Sequence, residues 1–368
     1  MGVPFTHLHV HTQYSLLDGA SKPEELLRRA MELGMDSIAI TDHGNMYGAV
    51  DLYQTAQKLS KEAEKQGKPG IRVIIGCEVY LTPGSRFDRI DKQPRYHLIL
   101  LAENNEGYRN LSHLVSLGYI DGFYRKPRID KDILRQYHEG IICLTACVQG
   151  EIPQAILSGN EERARAAVRE YLDIFDKEHL FLEMQNHNLP EEARVNRGLH
   201  KLAAEFGLKL VVTNDLHYVR REDASAQDVL LCIQTNKTVT DPDRMKFNND
   251  WYYCKSYEEM QELFPDDEEA LRNTHAIAER CHVDFAFGKL LLPEFPIPEK
   301  YRGDADACVR DICTAEIPHR YGADLAALTD PAERQALQDK VEQRLGYELG
   351  IIRTMGYAAY FLIVWDFI

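Results

Sequence analysis

Histidines at alternating positions stand out near the start of the sequence. His7, His9 and His11 recur at every second residue of the run 5–11. If this run is a strand, Phe5 and the three imidazoles share one face, because successive strand side chains point to opposite sides. Three imidazoles in a row make a poor hydrophobic core and suit ligands that converge on a metal ion. A His-x-His pair is also common among hydrogen-bonded histidines, and we favour that simpler role for His7.

Similar donors recur after most of the other candidate strands. Imidazole, carboxylate and thiolate together suit Zn, Mn or Fe better than Ca or Mg, with Mg an option for part of the site. One zinc ion accepts about four ligands, so a larger set predicts two or three divalent ions that share carboxylates, as in phosphate-ester hydrolysis. A buried structural thiol is the alternative for Cys147, and Glu183 and His187 are further candidates. The nine candidate ligands are His9, His11, Asp18, His43, Glu78, His97, Cys147, Asp215 and His217.

The elements that would position these donors alternate between strand-like and helix-like runs, which predicts a mostly parallel sheet. No strand is followed by a Gly-x-Gly-x-x-Gly or Walker A loop, and this favours a closed barrel over an open nucleotide-binding sheet. We therefore predict a distorted (β/α)7 barrel, in which the carboxyl ends of the strands bring the donors to one rim. The predicted strands are 5–11, 37–41, 72–80, 97–101, 141–144, 180–183 and 208–213.

The sequence changes in character near residue 285. Residues 291–300 form a proline-rich connector, and residues 304–368 read as helix without further strands. We predict a metal-binding barrel domain in residues 1–285 and a mostly helical segment in residues 286–368. The apolar run 356–368 stops without a capping residue, which predicts a chain cut inside a larger protein; a terminal helix buried in its own core is the alternative.

The 368 residues carry a formal charge of -15, so an anionic substrate needs a local positive site. Two loops rich in cations and aromatic rings could supply it, by holding a single-stranded DNA end through phosphate contacts and base stacking. A solvated loop is the alternative. With no signal peptide and no apolar stretch of ~20 residues, we expect no membrane partner and a cytoplasmic location. The candidate DNA contacts are Arg86, Arg89, Tyr124, Arg125, Lys126 and Arg128.

Five separated motifs resemble those of the PHP (polymerase and histidinol phosphatase) superfamily. They are HVH at 9–11, TDHG at 41–44, GCE at 76–78, YH at 96–97 and NDLH at 214–217. Three further stretches, 14–19, 144–153 and 356–364, resemble the N-terminal part of the bacterial DNA polymerase III alpha family. The resemblance runs over nearly the whole chain, and its motifs occur in the family's order.

The resemblance implies a PHP barrel with a trinuclear metal site whose nine ligand positions are all filled here. It implies a metal-dependent 3'-5' exonuclease that could proofread for an attached replicative polymerase. Glu78 would bridge two ions, and Asp215, His217 and His11 would be the other catalytic residues. Residues 286–368 would form a linker and the beginning of the polymerase palm and thumb region, whose polymerising carboxylates would follow residue 368. The implied partners are a single-stranded DNA 3' end, the rest of the polymerase and other replisome subunits.

Two other functions stay open on the sequence. One is a small-molecule phosphatase of the histidinol-phosphatase type, against which the proline-linked helical extension counts. The other is a structural PHP module that uses its metals for stability and supports the polymerase or a separate exonuclease partner. Hydrolysis of DNA, hydrolysis of a small monoester, or no turnover despite bound metal would separate the three.

Overall fold

The computed structural model describes residues 4–16, 18–288 and 293–368, and the chain divides into two units between Phe285 and Ala286. Leu17, within the 14–19 motif, and residues 291–292 of the predicted proline-rich connector lie outside the described residues. Each unit is described by itself below.

The first unit is built on a seven-stranded sheet. Its strands are β1 (Ser37–Ile40), β2 (Arg72–Leu81), β3 (Tyr96–Ala102), β4 (Arg128–Ile129), β5 (Ile141–Leu144), β6 (Leu180–Met184) and β7 (Lys209–Val212). The strand order is β1-β2-β3-β5-β6-β7, and the short β4 pairs with β2. β3 is antiparallel to β2 and β5, whereas the other pairs are parallel. The predicted mostly parallel, barrel-like sheet is confirmed.

Ten α-helices accompany this sheet among the described residues. Several begin where the sequence can satisfy free helix amides: the side chain of Asn104 accepts from the first turn of the third helix, and Ser256 and Glu259 form a reciprocal capping box. The helices are α1 (Pro23–Glu32), α2 (Ala49–Glu64), α3 (Asn105–Ile120), α4 (Lys131–Gln136), α5 (Glu151–Leu157), α6 (Glu161–Leu172), α7 (Pro190–Phe206), α8 (Ala224–Thr235), α9 (Tyr257–Leu263) and α10 (Glu268–Arg280).

Alternate residues of the strands face two different apolar cores. On β3, Leu98 and Leu100 belong to a large apolar cluster that includes buried side chains of helices α1 to α7. Ile99 and Leu101 belong to a second cluster, together with Ile277 of α10. This alternation follows from the two-residue period of a strand. Because both faces of the sheet are buried, its strands read as continuous apolar runs in the sequence.

Residues 5–11 do not form the predicted continuous strand. Within this segment only Val10 makes a strand-type bridge, to Leu216. The segment instead joins the two edges of the sheet, because the carbonyl of His7 accepts from β1 (2.8 Å) and the amide of His11 donates to Leu216 O (2.7 Å). Since its partner changes along its length, it cannot keep one regular ladder. The predicted common face also fails, because Phe5 and Val10, an odd and an even position, pack in the same core.

The second unit is helical, as predicted. It contains α11 (Ala305–Ala327), α12 (Pro331–Met355) and α13 (Ala358–Phe367). Its core of buried side chains is small and consists of Cys308, Val309, Ala358 and Leu362. In the part of the chain that the structure describes, no helix is long and apolar enough to span a bilayer.

Candidate metal centre

The nine candidate ligands lie in one continuous cluster of the first unit, although they come from seven separate places in the sequence. His43 follows β1, Cys147 follows β5, and Asp215 and His217 follow β7, at the carboxyl ends of these strands. His97 lies at the start of β3 and pairs with Tyr80 near the end of β2. Because β3 runs antiparallel to its neighbours β2 and β5, its first residues lie beside the carboxyl ends of those strands. This explains why His97 is a candidate ligand although it lies at the start of a strand.

The donor atoms form three triads, two of which share His11, and within each triad they lie within 4.8 Å of one another. Asp18 joins the cluster through His43, whose Nε2 is 3.1 Å from Asp18 Oδ2. The rings of His11 and His43 are 4.0 Å apart between centroids. The triads are His9, His11 and Asp215; His11, His43 and His217; and Glu78, His97 and Cys147.

Glu78 touches a member of every triad. Its Oε1 lies 2.6 Å from His97 Nδ1 and 3.4 Å from His9 Nε2, and its Oε2 contacts His43 Nδ1. The carboxylate is buried, so it has exchanged water for imidazoles on three sides. A carboxylate with this set of neighbours is suited to bridge two cations.

Buried oxygens without hydrogen bonds show whether the cluster suits a cation. Asp215 Oδ1 lies 3.2 Å from the Nε2 atoms of both His9 and His11, which are 3.2 Å from each other. Among the described residues, Asp215 Oδ1 and Asp18 Oδ1 have no hydrogen-bond partner. Converging nitrogens beside an unpartnered carboxylate oxygen are the donor set of a divalent cation, and the residues present therefore fit metal ions.

Electrostatics keep the carboxylates of the cluster ionised. Burial acts to raise the pKa of Glu78, but His97 and His43 hold it well below its usual range. Burial also acts to raise the pKa of Asp18, but the attraction of His43 is stronger and lowers this pKa to about 2. The pKa of Cys147 is raised by burial and by Asp215, so the thiol needs a cation to displace its proton. The cluster therefore holds ionised carboxylates whose negative charge divalent cations would neutralise.

A second layer of polar side chains orients His9. Glu183 Oε1 is 2.7 Å from His9 Nδ1 and accepts from Thr213 Oγ1 at 2.5 Å. Gln185 Nε2 donates to Glu183 Oε1 at 3.2 Å. The carboxylate thereby fixes the ring so that Nε2 faces the cluster, as outer partners of ligating histidines commonly do. The sequence had pointed to Glu183, but Gln185 and Thr213 carry no recognisable signal.

The loop that carries Asp215 is held by a network around Asn214. The amide of Asn214 donates to Trp251 O (2.9 Å) and Tyr253 O (2.8 Å), and its Oδ1 accepts from Lys255 Nζ (3.0 Å). Asp215 itself has φ +44°, a backbone conformation that costs free energy outside glycine. The network supplies the contacts that keep this strained residue in place.

Two histidines near the cluster serve structural contacts. His7 Nε2 hydrogen-bonds with Lys255 O at 2.9 Å, in line with the simpler role favoured above. His187 Nδ1 is 2.6 Å from Glu192 Oε1, and its Nε2 lies 2.9 Å from Asn214 O. The proposed addition of His187 to the ligands is wrong, because both ring nitrogens are already engaged with other groups.

The candidate DNA contacts fall into two groups. Arg128 is 1% exposed and donates to the carbonyls of Gly122, Arg86 and Asp88, so its predicted contact with DNA is wrong. The side chain of Arg86 pairs with Asp121 (3.2 Å) and Asp130 (3.3 Å), which also ties it to the protein. The remaining candidates, Arg89, Tyr124, Arg125 and Lys126, are at least partly exposed on the same two loops.

A barrel-like sheet with such a cluster at its strand ends defines a class of protein. Residues 7–187 match the family model of the PHP domain, and residues 307–368 match that of the bacterial DNA polymerase III alpha NTPase domain. The chain is 43% identical over 367 residues to a DNA polymerase III subunit alpha of Treponema pallidum and 42% identical over 370 residues to one of Borreliella burgdorferi. The first unit contains this PHP domain.

The chain belongs to the family of bacterial DNA polymerase III alpha subunits. The two alignments cover 99% of this chain but 29% and 30% of the relatives, so the chain spans about a third of their length. Among solved structures, a protein of Bifidobacterium adolescentis assigned to the metal-dependent phosphoesterases aligns with 71% of this chain and 95% of its own, at 15% identity and a TM-score of 0.35.

Proposed function

We propose that the first unit is a metal-dependent phosphodiesterase that removes nucleotides from the 3' end of single-stranded DNA. The observation that carries this proposal is the position of Glu78, which contacts one imidazole from each of three ligand triads. A carboxylate shared in this way is expected where two or three divalent cations act together on a phosphate. The nine ligands are His9, His11, Asp18, His43, Glu78, His97, Cys147, Asp215 and His217.

Divalent ions, when bound, supply activation of a water molecule and neutralisation of charge on the phosphate. The chain's own residues prepare the site for that chemistry. Glu183 aims the ring of His9, and Ser15 Oγ lies 3.0 Å from His11 Nδ1 and restrains the second ring. Positioning by such outer contacts removes the reorganisation that free side chains would require during reaction. Zn, Mn and Fe suit these donors, with Mg an option for part of the site.

The substrate must approach a chain whose net charge is -15. Lys126 offers a cation at the rim, since its Nζ lies 5.1 Å from the centre of the Tyr80 ring, which in turn faces His43 at 6.3 Å. A phosphate beside Lys126 would therefore be near the cluster. This local attraction is what the bulk charge does not provide.

We further propose that this exonuclease proofreads for a replicative polymerase of which the chain is the N-terminal part. The family membership and the match of residues 307–368 support this assignment. In that case residues 286–368 are the linker and the beginning of the polymerase body, and the partners are DNA and other replisome subunits. Polymerisation itself would use residues outside this chain.

Incubation of the 368-residue chain with Zn or Mn and 3'-labelled single-stranded DNA tests the exonuclease. We expect release of labelled mononucleotide, and its loss together with bound metal in Asp215→Ala. Asp250→Ala is the matched control, because that partly exposed carboxylate pairs with Arg221 (2.8 Å) and belongs to none of the ligand triads.

A parallel reaction on a small phosphate monoester separates the alternatives. Cleavage of the monoester alone would replace the exonuclease by a small-molecule phosphatase. Full metal content without turnover of either substrate would leave the structural module.

A further inference from the structure

Three exposed aromatic rings lie beside the candidate metal centre, two of them on loops and one in the last turn of α3. Tyr47 and Phe123 are 61% and 51% exposed, and Tyr119 is partly exposed between them. The rings of Tyr119 and Phe123 are stacked, with centroids 6.1 Å apart and an angle of 18° between their planes. Burial and the neighbouring side chain of Tyr47 together raise the pKa of the Tyr119 hydroxyl, so Tyr47 lies close to Tyr119. Single exposed rings are common on protein surfaces, but three neighbouring exposed rings form an apolar patch of the kind that marks a binding site.

The aromatic residues are connected to the ligand His43 through backbone packing. Gly44, the next residue, has φ +63°, and a Cβ built on it would lie 2.8 Å from Pro127 Cγ. Pro127 therefore packs directly on the backbone beside His43. Since Tyr47 is four residues further along the chain, the loop that carries the ligand also begins the row of rings.

The buried Arg128 makes the two loops one rigid support. Its guanidinium donates to Gly122 O (3.0 Å), Arg86 O (2.9 Å) and Asp88 O (2.6 Å), and so joins residues 84–95 to residues 121–130. The side chain of Arg89 adds a bond to Asp121 O (2.9 Å). A rigid support matters because a fixed ring loses little entropy when a base stacks on it.

Charge on the same loops is opposite to that of the whole chain. Residues 84–95 and 121–130 hold seven basic and four acidic side chains, in a chain of net charge -15. Arg125 lies over the ring of Tyr124 (5.7 Å) and forms an exposed ion pair with Asp91 (2.7 Å), and Lys126 lies over the ring of Tyr80 (5.1 Å). Cations interleaved with rings are the pattern of single-strand binding, in which phosphates and bases are held side by side.

We infer that Tyr47, Tyr119 and Phe123 form a stacking platform for the unpaired bases that precede the DNA 3' end. The inference rests on the proposed function for the polarity of the strand, but binding itself requires no hydrolysis. The platform takes single-stranded DNA rather than duplex, because a base inside a duplex offers no free face to a protein ring. Arg125 and Lys126 hold the intervening phosphates.

Fluorescence anisotropy with 5'-fluorescein-(dT)12 in metal-free buffer tests the platform without any chemistry. We expect Phe123→Ala and Tyr119→Ala each to weaken binding roughly fivefold or more, which corresponds to the loss of one stacked base. Phe123→Trp keeps a ring and should bind as the wild type does, whereas Phe123→Leu keeps only apolar area and should behave like the alanine variant. Tyr347→Ala is the matched control, since the Tyr347 ring is as exposed as that of Tyr47 (61%) and has Arg344 beside it, much as Tyr124 has Arg125.

Wild-type affinity in both alanine variants, or in Phe123→Leu, would overturn the platform and leave the rings to another partner, such as a protein. Arg125→Ala and Lys126→Ala should each lower the slope of log affinity against log salt by about 0.7.

Hydrolysis tests the two proposals separately. The platform variants should raise KM for the 3'-labelled (dT)12 and leave kcat and cleavage of a small phosphodiester unchanged. Ring-dependent binding without hydrolysis of either substrate would refute the proposed exonuclease and support the platform. Hydrolysis of (dT)12 with an unchanged KM in the variants would refute the platform and support the exonuclease.

Discussion

The two units of the chain bury different kinds of side chain. The PHP domain encloses charged groups deep in its structure, among them Glu78, Glu183 and His9, which are all within 1% of complete burial. The helical unit buries four side chains among its described residues, none of them charged. Its strongly apolar helix α13 leaves Trp365 56% exposed and Phe367 90% exposed.

This difference shows that apolar composition and a self-sufficient core are separate properties. The run 356–368 is the most apolar in the sequence, yet only Ala358 and Leu362 of α13 are buried in the unit's own core. The PHP domain, with its many polar groups, has two extensive cores and a cluster of imidazoles and carboxylates whose arrangement suits metal ions. Changes at the metal centre should therefore destabilise the PHP domain and leave the helical unit unaffected.

The largest effect is expected from Glu78→Gln. The substitution keeps the shape of the side chain but removes the negative charge that contacts His9, His43 and His97. We expect metal content to fall steeply and 3' nucleotide release to drop on the order of 10³-fold, because charge stabilisation of several kcal/mol is lost. Elemental analysis and the labelled-DNA reaction measure the two effects.

Glu205→Gln is the control for Glu78→Gln, since Glu205 is an exposed carboxylate that pairs with Arg165 (3.0 Å). If Glu78→Gln retained the metal content of the wild type, the central role of this carboxylate would be wrong.

Removal of metal by a chelator should separate the units more directly. Ions that bind only the folded chain stabilise it by about 2.7 kcal/mol at a hundredfold excess over Kd. For a domain of this size that corresponds to a Tm lower by roughly 5–10 °C after removal. Hydrogen exchange should show faster exchange around residues 9–11, 43, 97, 147 and 215–217, with no change in α11 to α13. Equal acceleration in both units would show that the ions stabilise the helical unit as well as the PHP domain.

Asn214→Ala tests whether the network behind Asp215 is needed for the metal centre. Loss of the bonds to Trp251, Tyr253 and Lys255 should free the strained loop and weaken metal affinity roughly 10- to 100-fold, as is common for outer partners of ligands. Titration of the metal-free protein measures the affinity.

Asn273→Ala is the matched control for Asn214→Ala, because the Asn273 amide also donates to a carbonyl, Leu210 O (2.8 Å), but lies away from the cluster. Similar losses of affinity in both variants would show that general destabilisation, and not the network, is responsible.

Most of the sheet could be predicted from the sequence because its strands are apolar runs of ordinary length. Six of the seven predicted strands correspond to β1–β3 and β5–β7. The run 5–11 has the composition of a strand but bonds to two different edges, and no local pattern encodes such a change of partner. The two-residue β4 is too short for any periodicity, and the antiparallel direction of β3 depends on contacts far apart in sequence.

Candidate ligands could be identified from the sequence wherever a histidine, cysteine or carboxylate follows a predicted strand. Such reasoning could not separate Arg128 from Arg125, since burial of a guanidinium depends on the carbonyls that surround it. It also missed Asn214 as a support, because an amide beside a ligand has many roles. Residues that act through main-chain contacts leave little trace in composition or spacing.

Lys255 provides a pH test that concerns the PHP domain alone. Burial lowers the pKa of Lys255 to about 7, whereas in an unfolded chain it is about 10.4. Between these pH values the unfolded state binds the proton more tightly, so this group makes stability rise with pH, by at most about 1.4 kcal/mol per pH unit. In urea unfolding at several pH values, the free energy of unfolding should therefore rise more steeply with pH for the wild type than for Lys255→Met. An unchanged pH dependence would show that the ammonium is accommodated without cost.

The smallest effect is expected from Trp365→Ser in the helical unit. Because the ring is more than half exposed, its loss should change the stability of this unit by less than about 0.5 kcal/mol. Leu362→Ala, one turn earlier and buried, should cost about 2 kcal/mol or more by leaving a cavity in a small core. Hydrogen exchange in α11 and α12 compares the two variants. If Trp365→Ser accelerated exchange as much as Leu362→Ala, the exposed face of α13 would be covered in solution. In that case both units would bury their apolar surfaces, and the sparse packing of the helical unit would not distinguish it from the PHP domain.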